Sequence, residues 1–250
     1  MFVKIDRDAS KDTYLPSTYT DYEIKYTPHS ATGIRDESTR LFTYAPYYVM
    51  DDFLSSSMVG ELNQILNKLD DTTINGSVIG YDEKAAGQHK LRNSNIRFLN
   101  SDIEGFEEFN KIDQYIIKRF SEINKNIFNL DITHYMSPQY TIYDVDQYFN
   151  WHPDGPMGVM DRRGLNCIPD DLVWRKLSMT LLLTDETEYK GGDFQILNPS
   201  ASPDCNAVST IRASAGTAII FPAYSAHRVT PITEGVRKSL VHWFCGPRWK

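Results

Sequence analysis

His152 and Asp154 stand two residues apart in the run Trp151-His152-Pro153-Asp154-Gly155. An imidazole and a carboxylate at that spacing are the start of a metal site. On an extended backbone alternate side chains point the same way, so both can reach one ion while the chain between them stays regular. A third ligand must come from elsewhere, and His227 is the strongest candidate. Two histidines and one carboxylate, with open positions opposite, form the donor set that favours non-haem Fe(II) in oxygenases. Ten residues beyond His227, Arg237 offers a planar fork that can grip a dicarboxylate cosubstrate bidentately, which a lysine cannot reproduce.

Taken alone the His152/Asp154 pair is weak, because such a gap arises often by chance. Its setting adds weight, since Pro153 and Gly155-Pro156 place it where a strand runs into a turn. An isolated histidine such as His227 is more often a surface or core residue than a ligand. Between His227 and Arg237, however, Thr230-Pro231-Ile232-Thr233-Glu234-Gly235 has turn composition, so adjacent antiparallel strands would bring both side chains to one cavity. An arginine amid Val236, Leu240 and Val241 needs either a carboxylate or the surface, because a buried unpaired guanidinium is costly.

The elements that must position these residues follow from periodicity. Tyr47–Met50 has strand composition, and Asp51-Asp52 with the serines after them form a helix start. Met58, Val59, Leu62, Ile65, Leu66 and Leu69 follow helical spacing, and Phe109, Ile112, Ile116, Ile117, Phe120 and Ile123 do so again within a helix expected over 106–128. Residues 70–90, polar and with three glycines, are expected to be a mobile loop that can cover a site. From about Ile132 onward, eight or so short apolar runs alternate with turn chemistry, which predicts a sandwich or jelly roll backed by the two helices. Residues 1–44 are polar and aperiodic and are expected to be an N-terminal extension, with the domain proper over 45–250.

Composition excludes other classes. A net charge of −7 with no run of lysine or arginine longer than a pair lacks the footprint of a nucleic-acid binder. Three widely spaced cysteines, Cys167, Cys205 and Cys245, point to free thiols in a reducing compartment rather than a disulfide framework. The first residues have no signal-peptide core and no run of 18 apolar residues occurs, so a soluble cytoplasmic protein without a membrane partner is expected. Gly191-Gly192 is a tight turn rather than a phosphate loop. His242, alternating with Trp243 on a strand, is expected to point away from the cavity.

Several segments together resemble the prolyl-4-hydroxylase-like group of the Fe(II)- and 2-oxoglutarate-dependent dioxygenases. PYYVMDDFLS is similar to the entry strand and helix start of that group, and LRNSNIRFL to its Arg-x-Ser segment. QYTIYDVDQYFNWHPD is similar to the tyrosine-bearing strand leading into the ligand pair, RKLSMTLLLTDETEYKGGDFQI to the central strand and Gly-Gly turn, and AHRVTPITEGVRKSLVHWF to the distal half. The likeness spans 46–247 and is greatest to the bacterial and phage peptidyl-hydroxylase-like branch, whose setting is the cytoplasm, including that of a phage-infected bacterial host.

The resemblance implies a double-stranded β-helix of the cupin-like jelly-roll type, with Fe(II), 2-oxoglutarate and O2 as cofactors and ascorbate as an optional accessory. It implies that His152, Asp154 and His227 ligate iron and that Arg237 pairs with the distal carboxylate of 2-oxoglutarate. Tyr143 and Ser239 would be further donors to that carboxylate, with Trp243 walling the pocket. It places Arg92 and Ser94 on the substrate side. The implied reaction is hydroxylation of a prolyl or other peptidyl C–H bond with release of succinate and CO2. Asp154 favours that outcome, since related halogenases lack the carboxylate. Two departures bear on the substrate: Phe149 stands where many members carry a tyrosine, and residues 1–44 have no counterpart. The alternatives are an oxygenase acting on a free amino acid or other small molecule, a cupin-like protein using another metal, and a non-catalytic β-helix binding module. Arg237 argues against the second, and the intact ligand set against the third.

Overall fold

A computed structural model describes residues 2–4, 47–76, 91–155, 174–197 and 208–247. Most of the expected extension and of the expected 70–90 loop therefore lie outside the described residues, as do Cys167 and Cys205. The remaining thiol, Cys245, is free and buried.

The first half of the chain gives β1 (Phe2–Lys4), β2 (Tyr48–Met50), helix α1 (Ser56–Leu66), β3 (Ile74–Asn75), β4 (Arg92–Asn93), β5 (Asn95–Phe98), helix α2 (Phe106–Ile123), β6 (His134–Met136), β7 (Gln139–Tyr143) and β8 (Tyr148–His152). The second half is all strand: β9 (Trp174–Leu182), β10 (Tyr189–Gly191), β11 (Phe194–Leu197), β12 (Val208–Ile211), β13 (Ala218–Pro222), β14 (His227–Val229), β15 (Ile232–Gly235) and β16 (Arg237–Gly246). Every described pairing is antiparallel. A major sheet runs β2-β13-β9-β16-β7-β5-β3, with β6 against the end of β16, and a minor sheet runs β12-β11-β14-β8-β4. β1, drawn from the stretch expected to be an extension, pairs with β6 and so lengthens the major sheet.

The two sheets face each other across a small apolar layer in which Val49, Ile219 and Phe221 meet Phe194, Ile196 and Val229. This is the double-stranded β-helix expected from the turn-punctuated strands. The opposite face of the major sheet carries the larger core. There Leu177, Met179, Leu181, Leu240 and Phe244 pack on Met58, Leu62 and Leu66 of α1 and Phe109, Ile116 and Phe120 of α2. Both helices form where their apolar spacing placed them. Ser55, extended at φ −65° and ψ 156°, caps α1 by accepting from the Met58 amide at 3.3 Å. Each helix ends in a change of winding rather than a clean stop: α1 tightens to a 3-10 turn over Asn67–Thr72 and α2 widens to a π turn over Asn124–Phe128. None of the described helices is long and apolar enough to cross a membrane.

His242, on the helix side of β16, is fully buried and shares a 2.7 Å hydrogen bond with Asp113 of α2. One strand thus alternates between two tasks. Arg237, Ser239, Val241 and Trp243 face the space between the sheets, while Leu240, His242 and Phe244 anchor α2.

Phe120 and Phe244 stack at 3.3 Å between centroids with a 2° interplanar angle, both with no exposed surface. Truncating Phe120→Ala is expected to cost about 3–5 kcal/mol through the cavity left behind. Urea unfolding would measure it, and the same variant made at half-exposed Phe106 should cost far less.

Candidate active site

The site is built where β8 and β14 pair in the minor sheet. His152 lies directly opposite His227, with ring centroids 4.2 Å apart. His227 and Arg237, expected on neighbouring strands, instead stand on facing sheets. β15 carries the chain across by pairing with β10, and Arg237 begins β16 in the major sheet. Gly191 and Gly192, at φ 72° and 62°, make the turn beside this crossing, where a side chain on Gly191 would collide with the Pro231 carbonyl.

His152, Asp154 and His227 converge, with one donor atom of each lying within 4.8 Å of the others. The Asp154 carboxylate is 3.6 Å from His152 Nε2 and 3.7 Å from His227 Nε2, longer than direct hydrogen bonds. Each imidazole is oriented by its other nitrogen: Nδ1 of His152 lies 2.7 Å from the Asn150 carbonyl and Nδ1 of His227 lies 3.0 Å from the Ser225 carbonyl. Those carbonyls fix Nδ1 as the protonated position and leave both Nε2 lone pairs aimed at the gap.

The electrostatics suit a cation. Burial drives the His227 imidazole from its ordinary 6.5 down to about 4, with His152 adding to the shift and Asp154 opposing it, so the ring is neutral at neutral pH. Burial alone would raise the Asp154 carboxyl. His227, His152 and Arg175 outweigh that effect and hold it well below the usual carboxylate range. Two imidazoles and an ionised carboxylate, all nearly buried, make a donor set that suits a divalent ion.

Arg237 occupies the floor of the same cavity at 1% exposure. Its Nη1 reaches Ser239 Oγ at 3.3 Å, and its guanidinium lies 5.6 Å from the centre of the Tyr143 ring. Nε and Nη2 have no partner among the described residues. A buried guanidinium with two idle donors can take up an anion, whose oxygens would replace the hydration it has lost. Burial pushes the Tyr143 phenol up, against the pull of Arg92 and Arg237, so it stays protonated. Ser239 and Trp243 line the same cavity, and Trp243 Nε1 also lacks a partner. Arg92 is likewise inside this cavity, and Ser94 is fully buried beneath it, receiving Arg92 Nε at 2.6 Å.

Arg175 was not singled out by sequence pattern. Its guanidinium sits 4.1 Å over the Trp243 ring and donates to the Asp154 carbonyl at 2.8 Å, fixing the backbone of the acidic ligand. Gly155 secures the other side, since its amide donates to the Ala223 carbonyl at 2.7 Å and a Cβ there would press on Ala223 at 3.1 Å.

Comparison with known proteins places this arrangement. Residues 138–245 match the family described as the 2OG-Fe(II) oxygenase superfamily, a span that contains Tyr143, all three converging donors and Arg237. Over that segment the chain is similar to the superfamily. A PKHD-type hydroxylase of Methylobacterium nodulans is 34% identical over 108 residues, which are 43% of this chain and 42% of the relative. The stretch shared with that relative is thus under half of its length. A second PKHD-type hydroxylase, from Synechococcus sp., is 28% identical over 199 residues, 77% of each chain. Among solved structures, a Trichoplax adhaerens prolyl hydroxylase in complex with a hypoxia inducible factor oxygen degradation domain peptide fragment superposes with a TM-score of 0.59. It is 19% identical and the match covers 80% of this chain and 83% of that one. The oxygenase family implies Fe(II), 2-oxoglutarate and O2, and the donor set and the idle guanidinium fit the first two.

Two outcomes follow from the geometry. Because Arg175 holds the Asp154 backbone carbonyl and leaves its carboxylate free, Arg175→Met should weaken Fe(II) binding by roughly tenfold, the loss typical of groups that orient a ligand. Replacing His227 itself should abolish it, and both are read by anaerobic Fe(II) titration. In the metal-free protein, acidification from about 6.5 towards about 4 protonates His227 in the unfolded chain while the folded ring stays neutral. Stability is therefore expected to fall as pH falls through that window. Urea midpoints at pH 7 and pH 5 in the presence of chelator should diverge less for His227→Gln than for the wild type.

Proposed function

We propose that this protein is an Fe(II)- and 2-oxoglutarate-dependent dioxygenase that hydroxylates a C–H bond of a prolyl or other peptidyl residue, releasing succinate and CO2. One observation carries the reading. A buried arginine with two unpaired donors shares a cavity with a His/Asp/His donor set. A protein that used the metal alone would have no need for that arginine, and leaving it unpaired would cost stability for nothing.

His152, Asp154 and His227 would hold the iron. When bound, iron together with 2-oxoglutarate and O2 supplies the oxidising power to place one oxygen atom on an unactivated carbon. The chain's own residues orient and exclude. Arg237 would take the distal carboxylate of 2-oxoglutarate through its free Nε and Nη2, with Ser239 holding Nη1 and the protonated Tyr143 adding a hydroxyl donor. Val241, Trp243 and Phe194 line the remaining wall with apolar surface, which keeps water from competing for the reacting positions. Asp154 fills the third ligand position with a carboxylate, which favours hydroxylation over halide chemistry.

A peptidyl substrate is supported by the named relatives, one of which holds a peptide fragment, and by a local feature of this chain. Phe98, 40% exposed, lies 6.4 Å from the cavity-lining Trp243 and extends an aromatic surface outward from the site. Such a surface suits a ring-bearing residue presented on an extended chain.

The test is 2-oxoglutarate consumption and succinate formation with Fe(II) and ascorbate, against proline-rich peptides, free proline and other amino acids. Turnover stimulated by peptide is expected, and stimulation by a free amino acid alone would shift the substrate class. Arg237→Ala should weaken 2-oxoglutarate binding by about 1.5–3 kcal/mol, the range for hydrogen bonds to a charged group, while Fe(II) binding persists. Loss of iron before 2-oxoglutarate would overturn the assignment of Arg237.

A further inference from the structure

Phe149 is a position at which the chain departs from the family it resembles, and the proposed reaction gives it no task. It is half-buried on β8 and lines the cavity beside His152. Its ring lies on the His152 imidazole, with centroids 3.3 Å apart and planes 13° from parallel. A face covered at that distance has no room for a second group, so the Arg92 guanidinium, 4.6 Å from the ring centre, rests on the opposite face. Arg92 is the cross-strand partner of Phe149 on β4 and is 7% exposed. Its Nε donates to Ser94 Oγ at 2.6 Å and its Nη2 to Gln139 Oε1 at 2.8 Å. Gly76 closes on it so tightly that a Cβ there would lie 2.7 Å from Nε. Guanidinium, phenyl and imidazole thus form a column of three flat groups, and its inner end is a residue of the metal site.

The two imidazoles of that site are supported differently. His227 is backed by Phe221 and Phe194, at 4.5 and 5.5 Å between centroids, and both belong to the apolar layer between the sheets. His152 has no such wall. Among the described residues, the rings packed on it are Phe149 and the tilted His227, at 4.2 Å and 52°. The hydrogen bond from Nδ1 to the Asn150 carbonyl fixes one point of the ring. The terminal torsion of a histidine is broad, so one fixed point leaves the ring plane free to rock, and a rocked lone pair misses the position that Asp154 and His227 share. A flat surface against the imidazole removes that freedom, provided the surface is itself held. Phe149 is only half-buried, and the anchored guanidinium supplies the hold.

We propose that Phe149 is a positioning residue of the metal site, which sets the plane of the His152 imidazole for metal binding and is held flat by the Arg92 guanidinium on its outer face. This inference rests on His152, Asp154 and His227 being the iron ligands. It gives Arg92 work inside the site, where its fork is engaged, and makes Ser94 and Gln139 the anchors of the column. What the position requires on this account is a flat ring, so an aliphatic side chain of similar bulk cannot replace it.

The experiment is a double-mutant cycle on metal affinity, read by anaerobic Fe(II) titration, with the visible spectrum of the Co(II)-loaded protein as a report on ligand geometry. Phe149→Leu should raise the Fe(II) Kd about tenfold and shift the Co(II) bands, the loss typical of groups that orient a ligand. Phe149→Tyr, which keeps the flat ring, should stay within about twofold of the wild type with an unshifted spectrum. Arg92→Lys keeps the charge beside the site but removes the planar group from the ring, and should raise Kd about fivefold. The double variant Phe149→Leu/Arg92→Lys should be no weaker than Phe149→Leu beyond about twofold, because the arginine acts through the ring. Phe149→Leu binding Fe(II) as the wild type does, an equal loss in Phe149→Tyr, or penalties that multiply in the double variant would each overturn the proposal. So would a Phe149→Leu protein with a lower urea midpoint in chelator and an unshifted Co(II) spectrum, since that is the mark of a purely structural residue. If the wild-type protein itself bound no Fe(II), the metal reading would fail and this inference with it.

Discussion

The register between β8 and β14 is the constraint on which the site depends. It sets His152 opposite His227, and because both rings spend Nδ1 on nearby backbone carbonyls, it leaves two lone pairs aimed at one point. A slip of one residue would send one imidazole to the outer face of the minor sheet. The strands are short, so their own ladder hardly guarantees the register. It is pinned instead by the small apolar layer between the sheets, where Val229 and Phe194 meet Phe221 and Ile219, and by the backbone bond from Gly155 to Ala223. Asp154 lies beyond the strand end and is free to turn inward. Arg175 on its carbonyl and Gly155 after it take the place of the missing ladder.

Charge imposes the second condition. Between the sheets, Arg92 and Arg237 are the guanidiniums lining the cavity and Asp154 is its carboxylate. Such a balance disfavours the folded protein by itself, since buried donors left idle on Arg237 and Trp243 forgo bonds that water would have supplied. The larger core on the other face of the major sheet offsets it, with two helices covering strands whose outward residues are leucine, methionine and phenylalanine. β16 joins the two regimes residue by residue, and this is why the strand that carries the anion receptor also carries the buried His242–Asp113 contact to α2. The larger apolar core thus lies on one side of the sheet and the cavity on the other.

Much of this could be read from residue order. The helical spacing of Met58 to Leu69 and of Phe109 to Ile123 found real helices, because an amphipathic stripe has few other places to go. That His152, Asp154, His227 and Arg237 meet at one cavity was legible because histidine, carboxylate and arginine at strand ends are expensive to enclose without partners. What escaped was everything governed by an irregularity. Arg175 precedes Lys176 at the start of a strand, and strict alternation back from Thr180 and Ser178 would turn Lys176, not Arg175, towards the cavity. The register shift between Phe244 and Cys245 on β16 reverses that order and brings Arg175 against Trp243. The path from His227 to Arg237 was misjudged for a related reason, because turn composition marks a reversal without saying which sheet receives the next strand.

A second irregularity explains the residue that departs from the family pattern. Phe149 and His152 are three apart on β8, a spacing that in a regular strand puts them on opposite faces. The shift between His227 and Val229 takes up one residue on β8, so Val229 pairs with Phe149 and both β8 rings face inward, stacked at 3.3 Å between centroids. Phe149 therefore lies flat on a metal-site imidazole and offers its other face to Arg92, its cross-strand partner on β4. A tyrosine in that position would bring a hydroxyl, and a phenylalanine brings none. The polar groups on this wall are those of Arg92, Ser94 and Gln139, with the Arg92 guanidinium resting on the ring. One flat ring thus serves both sides of the site, stacking on the His152 imidazole and carrying the Arg92 guanidinium that Ser94 and Gln139 hold in place.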